Sequence, residues 1–237
     1  MIRLLLWDID GTILDFHEAQ KHAIRACFEE QGLGICTDEM LAVYDGINRR
    51  AWQRLERREI TKEQTLLGRF YEFFEQYGIP TECIPQFNAS YQVRLGDYPV
   101  FTPGALETVK TLKAAGIPQF AVTNGTVVAQ ERKLARTGLD QIFDGIFISD
   151  RIGAEKPSAQ FFAPVLEAAE RQVPGIRKDE ILIIGDSLTS DMQGGLNAGI
   201  RTCWYRSAEA AAKEHAPFDY EIASLPEVLD LIGDVVR

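Results

Sequence analysis

"LLLWDIDGTILD", residues 4–15, drives an apolar run straight into two carboxylates, Asp8 and Asp10, and then breaks at Gly11. The run over residues 2–7 is short and almost continuously apolar. That predicts a strand buried on both faces, as in a parallel sheet. Carboxylates at the end of such a strand are costly unless something pairs with them. Residues 8 and 10 alternate along the chain, so an extended backbone points both to one side. The stretch reads either as a strand ending at a turn in water or as the floor of a charged site.

Downstream of Pro99 the chain alternates between two textures. "QFAVTNG", "DGIFISD", "EILIIGDS" and "RTCWYR" read as strands. "TPGALETVKTLKAAGI" reads as a helix with Pro103 near its start and Gly116 at its end. "TVVAQERKLARTGL", "SAQFFAPVLEAAERQ" (distorted near Pro164), "DMQGGLNAG" (stopped by Gly199) and a closing "LPEVLDLIGDVV" also read as helices. Strands alternating with helices predict an α/β fold, an open parallel sheet with helices on both faces.

Residues 18–95 read as helical throughout. "HEAQKHAIRACFEEQG" places Ala19, His22 or Ala23, Ala26 and Cys27 on one face and closes at Gly32. A second helix starts at the Thr37/Asp38 cap signal. A third runs from a Thr61 cap, with a Glu within three positions, to Gly78. In it Leu66, Phe70, Phe73, Phe74 and Tyr77 keep helical spacing, a stripe expected to pack between helices. The predicted organisation is a body of residues 1–16 and 97–237, interrupted after its first strand by a helical cap of residues 17–96. Insertions of this kind often serve as lids.

Composition narrows the function classes. The 237 residues are 46% hydrophobic and 25% charged, an ordinary globular balance, with a net charge of −10. That acidity argues against a nucleic-acid polymer as partner. "NRRAWQRLERRE" mixes acidic residues with its arginines and reads as a solvated helix face. The cysteines, Cys27, Cys36, Cys83 and Cys203, contain no C-x-x-C pair, which argues against a zinc knuckle or a thioredoxin-like motif. Scattered single cysteines fit a reducing compartment. No signal peptide is evident, and no apolar run approaches the ~20 residues that span a bilayer. The expectation is a cytoplasmic protein without membrane contact, monomeric or homodimeric.

Ligands of parallel sheets collect at the carboxyl ends of the strands. After the first strand come Asp8, Asp10 and Thr12. After the second come Thr123, Asn124 and Gly125. After the third come Asp150 and then Lys156 in "GAEKPS". After the fourth come Gly185, Asp186, Ser187 and Asp191. Asp8, Asp10 and Asp186 offer hard oxygen ligands, which suit Mg²⁺ rather than zinc. Thr123, the amides after it and Lys156 are donors fitted to phosphate oxygens. The set suits phosphoryl transfer.

"DIDGT", "VTNG", "EKP" and "GDSLTSD", in that order at strand ends, resemble the four motifs of the haloacid dehalogenase superfamily, and the helical insert sits where that family places its type 1 cap. The resemblance implies that Asp8 attacks phosphorus to give an aspartyl-phosphate. Asp10 would protonate the leaving alcohol and then activate water. Mg²⁺ would be held by the Asp8 carboxylate, the backbone carbonyl of Asp10 and the Asp186 carboxylate. Lys156 would hold the nucleophile and the phosphoryl group, Thr123 and the amide of Asn124 would bind phosphate oxygens, and Asp191 would act on Lys156 or a metal-bound water. Thr12, with Gly11, would begin the turn beside the cap and face the substrate with Gly125. "DMQGGLNAGIRTCWYR" and "VTNGTVVAQERKLARTGL" look like the branch of pyrimidine 5'-nucleotidases and N-acylneuraminate 9-phosphatases. The cap stretches "INRRAW" and "ITKEQTLLGRF" look more like the nucleotidases. The implied substrate is a small phosphorylated metabolite, a pyrimidine nucleoside monophosphate first.

Alternatives are a sugar-phosphate phosphatase and a phosphosugar mutase. An inactive binding relative would have lost Asp8, Asp10 or Lys156. The dehalogenase branch needs neither Mg²⁺ nor the acid at Asp10. A Schiff-base lysine in the cap has no diagnostic context at Lys21 or Lys62. The motifs of cysteine and histidine phosphatases and of P-loops are absent. In the cap, Asn48, Arg49 and Trp52 are candidate base or sugar contacts, although a half-buried helix Trp more often packs. His17 is a candidate for the rim of the site.

Overall fold

The computed structural model describes residues 1–206 and 217–232. β1 (Leu4–Trp7) is followed by α1 (Phe16–Glu30), α2 (Asp38–Glu56), α3 (Lys62–Tyr77) and α4 (Ile84–Asp97). Then come α5 (Ala105–Ala114), β2 (Gln119–Thr123), α6 (Val127–Thr137), β3 (Gly145–Ile148), α7 (Ser149–Ile152) and α8 (Ala159–Gln172). β4 (Ile181–Gly185), a π-helical turn (Leu188–Met192), α9 (Gln193–Ala198), β5 (Arg201–Tyr205), β6 (Tyr220–Ile222) and α10 (Val228–Ile232) complete the described chain.

The strands form one parallel sheet in the order β3-β2-β1-β4-β5-β6. The chain order reverses at β1, so the carboxyl end of β1 lies at the switch point where α/β sheets bind ligands. β1 is buried on both faces, as its apolar run requires. Leu5 and Trp7 pack with Val109, Leu112 and Leu134 on one side. Leu4 and Leu6 pack with Phe161, Phe162 and Val165 on the other. The Trp7 indole is satisfied inside the core: Nε1 donates to Gln119 Oε1 at 3.0 Å, and Gln119 Nε2 donates to the carbonyl of Val109 at 2.9 Å.

Helices α1 to α4 build a separate apolar core centred on aromatic rings. Phe87 lies 5.0 Å from Phe70 and 5.0 Å from Phe74, edge to face, and Phe70 stacks on Tyr44 at 5.3 Å. Such pairs contribute about 0.5–1.5 kcal/mol each beyond their burial.

Several local expectations are corrected. In α1 the inward face is Ala19, Ala23, Ile24, Cys27 and Phe28. His22 is exposed and stacks on Tyr98 at 3.6 Å, and Ala26 is only half-buried. In α3, Leu66 is half-buried and Thr65 and Arg69 are buried instead. Its capping box is closed by Gln64, whose side chain accepts from Thr61 N at 2.8 Å, rather than by a Glu. Pro164 does not break α8. Gln160, whose carbonyl loses its bond, lies on the exposed face where water can replace it. β6 was not anticipated: it is three residues long, with two of them exposed, too short to show a period. The closing helix is seen as far as Ile232, and residues 233–237 lie outside the described residues. Among the described residues no helix is long and apolar enough to cross a membrane.

Candidate active site

Asp8 follows β1 directly, and its N–H continues the ladder to Ile184 O at 2.9 Å. Its carboxylate is held from two sides. Lys156 Nζ donates to Oδ1 at 2.8 Å, and Thr12 Oγ1 donates to Oδ2 at 3.1 Å. The Lys156 ammonium is 1% exposed and spends its other donors on Asp191 Oδ1 (2.6 Å) and Val122 O (2.8 Å). An ammonium has three donors, so Lys156 is completely committed to this geometry. Asn124 straps the lysine's backbone in place, accepting from Lys156 N at 2.8 Å and donating to Lys156 O at 3.0 Å. Asp191 Oδ2 accepts from Ser187 N at 3.2 Å, which fixes the loop after β4.

Two glycines allow these carboxylates to meet the backbone. Gly11 has φ +93°, and a Cβ there would lie 2.5 Å from Asp186 Oδ2. A Cβ on Gly185 would strike the Asp191 carboxylate. Only glycine accommodates both the positive φ and the close approach at position 11.

Burial dominates the electrostatics. It pushes the Asp8 carboxyl up to about 7, against the pull of Lys156 and with Asp191 and Asp10 adding to the rise. Asp186 is likewise raised well above the carboxylate range, by burial first and then by Asp8 and Asp191. Burial acts to lower the Lys156 ammonium, but Asp191 and Asp8 beside it outweigh that and hold it above its ordinary value.

Oxygens of Asp8, Asp186 and Asp191 lie within 4.8 Å of one another. Three carboxyl groups share one lysine, so ionising all three would leave negative charge for a bound cation to offset. An all-oxygen donor set of this kind fits a hard divalent cation such as Mg²⁺. The carboxylate of Asp10 stands outside the group. Both its oxygens turn to α6, where Gln130 Nε2 donates at 2.6 Å and Lys133 Nζ forms an ion pair. These two partners, buried at 0% and 1% exposure, were not picked out from the sequence. The available signal was a Gln and a Lys three apart on the face that also carries Leu134.

The site opens into a chamber of about 520 Å³. Thr123, Asn124, Gly125 and Lys156 join the aspartates on its floor. Thr123 Oγ1 accepts from Gly125 N at 3.1 Å, which leaves its hydroxyl proton available. Thr12 is placed differently from the expectation. It is completely buried and does not border the chamber; it ties Asp8 to the amide of Asp186 (3.1 Å). The roof comes from α1 and α2. His17, Asn48, Arg49 and Trp52 all reach it, and Asp45, which no sequence motif marks, pairs with His17 at 3.0 Å and Arg49 at 3.2 Å. Side chains tie the roof to the floor. Glu56 accepts from Thr189, and Lys62 Nζ donates to Ser149 Oγ at 2.8 Å and Gly125 O at 3.2 Å, with Asp150 at 3.5 Å.

Known proteins resemble this chain along nearly its whole length. The family described as "Haloacid dehalogenase-like hydrolase" matches residues 5–205. Pyrimidine 5'-nucleotidase PynA of Streptococcus pneumoniae is 33% identical over 97% of this chain and 94% of its own. The HAD-hydrolase YfnB of Bacillus subtilis is 33% identical over 98% and 95%. A crystal structure of YfnB bound to magnesium superposes with a TM-score of 0.89, covering 98% of this chain and 99% of that one at 32% identity. A glyceraldehyde 3-phosphate phosphatase of Methanopyrus kandleri is 30% identical over the whole of both chains. With its strand order, its buried aspartates at the switch point and a family match spanning the sheet through β5, this chain belongs to the haloacid dehalogenase-like hydrolases.

Proposed function

We propose that the chain is a Mg²⁺-dependent phosphomonoester hydrolase working through an aspartyl-phosphate on Asp8, with a pyrimidine nucleoside 5'-monophosphate as substrate. The observation that carries this reading is the clamp of Lys156 on Asp8 at the floor of a chamber of small-molecule size. The resemblance of the motifs and the relative named as a pyrimidine 5'-nucleotidase support the substrate class.

Asp8 would supply the carboxylate oxygen that bonds to phosphorus while the bond to the leaving alcohol breaks. Lys156 orients that carboxylate and offsets charge as two anions approach. Thr123 and the Asn124 amide would donate to phosphate oxygens. Asp10 would give a proton to the leaving oxygen and later take one from the attacking water, releasing orthophosphate. Because Gln130 and Lys133 occupy both oxygens of Asp10, that transfer requires one of these contacts to open. Asp8, Asp186 and the backbone carbonyl of Asp10 would hold Mg²⁺, with Asp191 beside them on Lys156. When bound, the cation supplies Lewis-acid stabilisation of phosphoryl charge. The chain is divided into a body of residues 1–16 and 97–237 and a cap of residues 17–96.

A panel of phosphomonoesters assayed with Mg²⁺ tests the reading. UMP, dUMP and dTMP are expected to release orthophosphate faster than purine nucleotides, N-acylneuraminate 9-phosphate or glyceraldehyde 3-phosphate. Preference for glyceraldehyde 3-phosphate would transfer the assignment to sugar phosphates, the reading favoured by the archaeal relative. Asp8→Asn is expected to lose on the order of 10⁴-fold or more in kcat. Retention of a few percent of activity would remove Asp8 as nucleophile.

A further inference from the structure

The roof of the chamber contains a hydrogen-bonded relay that no catalytic step uses. Arg69 of α3 is 2% exposed. Its guanidinium lies 5.0 Å from the ring centroid of Phe70 and 5.1 Å from that of Tyr91, and its Nε donates to Leu66 O at 3.3 Å. Held in this way, Nη1 donates to Asn48 Oδ1 at 2.7 Å. Trp52 Nε1 donates to the same oxygen at 3.1 Å.

Two donors on one oxygen decide which way the Asn48 amide points. The reversed amide would set its NH₂ against two N–H groups. Oδ1 is therefore taken, and Nδ2 has no hydrogen-bond partner among the described residues. Asn48 borders the chamber, as does Trp52. The wall thus presents a fixed N–H donor beside a pinned aromatic ring. The remaining Nη2 of Arg69 is buried without a partner among the described residues, next to a cavity of about 20 Å³ that also touches Trp52. Burying an incompletely satisfied cation is costly. An apolar side chain would suit a roof core otherwise built of aromatic rings. The expense is intelligible if Arg69 is there to orient Asn48.

We infer that Asn48 is the specificity determinant of the site: its Nδ2 donates to a ring carbonyl of a pyrimidine base lying against Trp52. This rests on the nucleotidase reading and names the group that reading left open. Uracil, thymine and cytosine all carry a ring carbonyl, adenine carries none, and a sugar phosphate has no flat ring to lie on the indole. For a sugar phosphate the buried donor is left without an acceptor, and for adenine it meets at most a ring nitrogen of a larger bicyclic ring instead of a carbonyl oxygen.

The test is Asn48→Asp, which keeps the shape and still accepts from Arg69 and Trp52 but removes both N–H donors. Equilibrium binding is measured with Mg²⁺ in the Asp8→Asn background, so that turnover does not interfere, using UMP, AMP and ribose 5-phosphate. The expected result is that Asn48→Asp weakens UMP about 10- to 100-fold, leaves ribose 5-phosphate within about twofold, and abolishes the preference for UMP over AMP. Equal losses for UMP and ribose 5-phosphate, or an unchanged UMP affinity, overturn the assignment. Hydrolysis of UMP by the wild-type chain is read separately. Failure there overturns the phosphatase reading, while the binding measurement still decides the role of Asn48.

Discussion

At the scale of the residue, position 11 shows how backbone conformation and charge chemistry meet. Gly11 combines a φ of +93° with a contact to Asp186 that leaves no room for a methyl group. Gly11→Ala is expected to cost about 1–3 kcal/mol of stability and to displace the Asp186 carboxylate. Urea denaturation checks the first effect, and a weakened apparent affinity for Mg²⁺ checks the second. Asp8, Asp10, Thr123, Asn124, Lys156, Asp186 and Asp191 were all legible as positions, because each ends or directly follows an apolar strand or lies in a short motif after one. Their partners were not. Lys133 lies 123 residues from Asp10, and Gln130 lies 120 residues from it. A helix period shows that such side chains face inward, but not which carboxylate they meet.

At the scale of the element, the helical insert is held together by rings rather than by helix propensity. Phe74 is fully buried and touches Phe28, Phe70, Phe73 and Phe87. Phe74→Ala is expected to destabilise the protein by about 3–5 kcal/mol, read as a lower urea midpoint. Thr61→Ala opens the capping box at the start of α3, and its expected cost is about 1 kcal/mol. The aromatic stripe was visible in the sequence because its spacing is helical. The inward turn of Arg69 was not, because a charged residue at a stripe's edge is ordinarily solvent-facing.

At the scale of the whole molecule, two folded layers meet over one anionic site. The oxygens of Asp8, Asp186 and Asp191, within 4.8 Å of one another, form an all-oxygen set that suits a divalent cation. If Mg²⁺ is held there, calorimetry is expected to show a rise in Tm on adding it. The gain is about 2.7 kcal/mol at a hundred times its Kd, and EDTA reverses it together with activity. A Tm indifferent to Mg²⁺ would exclude the site. Lys62 reaches from α3 to groups following β2 and β3. Lys62→Met is expected to raise KM for nucleotides, and faster hydrogen exchange at the start of α3 reports the loosened contact.

The sequence by itself determined the α/β fold, the helical insert after β1 and the location of the carboxylates. These follow from local periodicity and from the rule that parallel strands present their ends to ligands. The tertiary structure decided the sheet order, the short edge strand β6, the turning of Asp10 onto α6 and the relay from Arg69 through Asn48 to the chamber wall. Each of those depends on side chains from elements far apart in the chain. Only packing sets their distances, and local pattern carries no record of it.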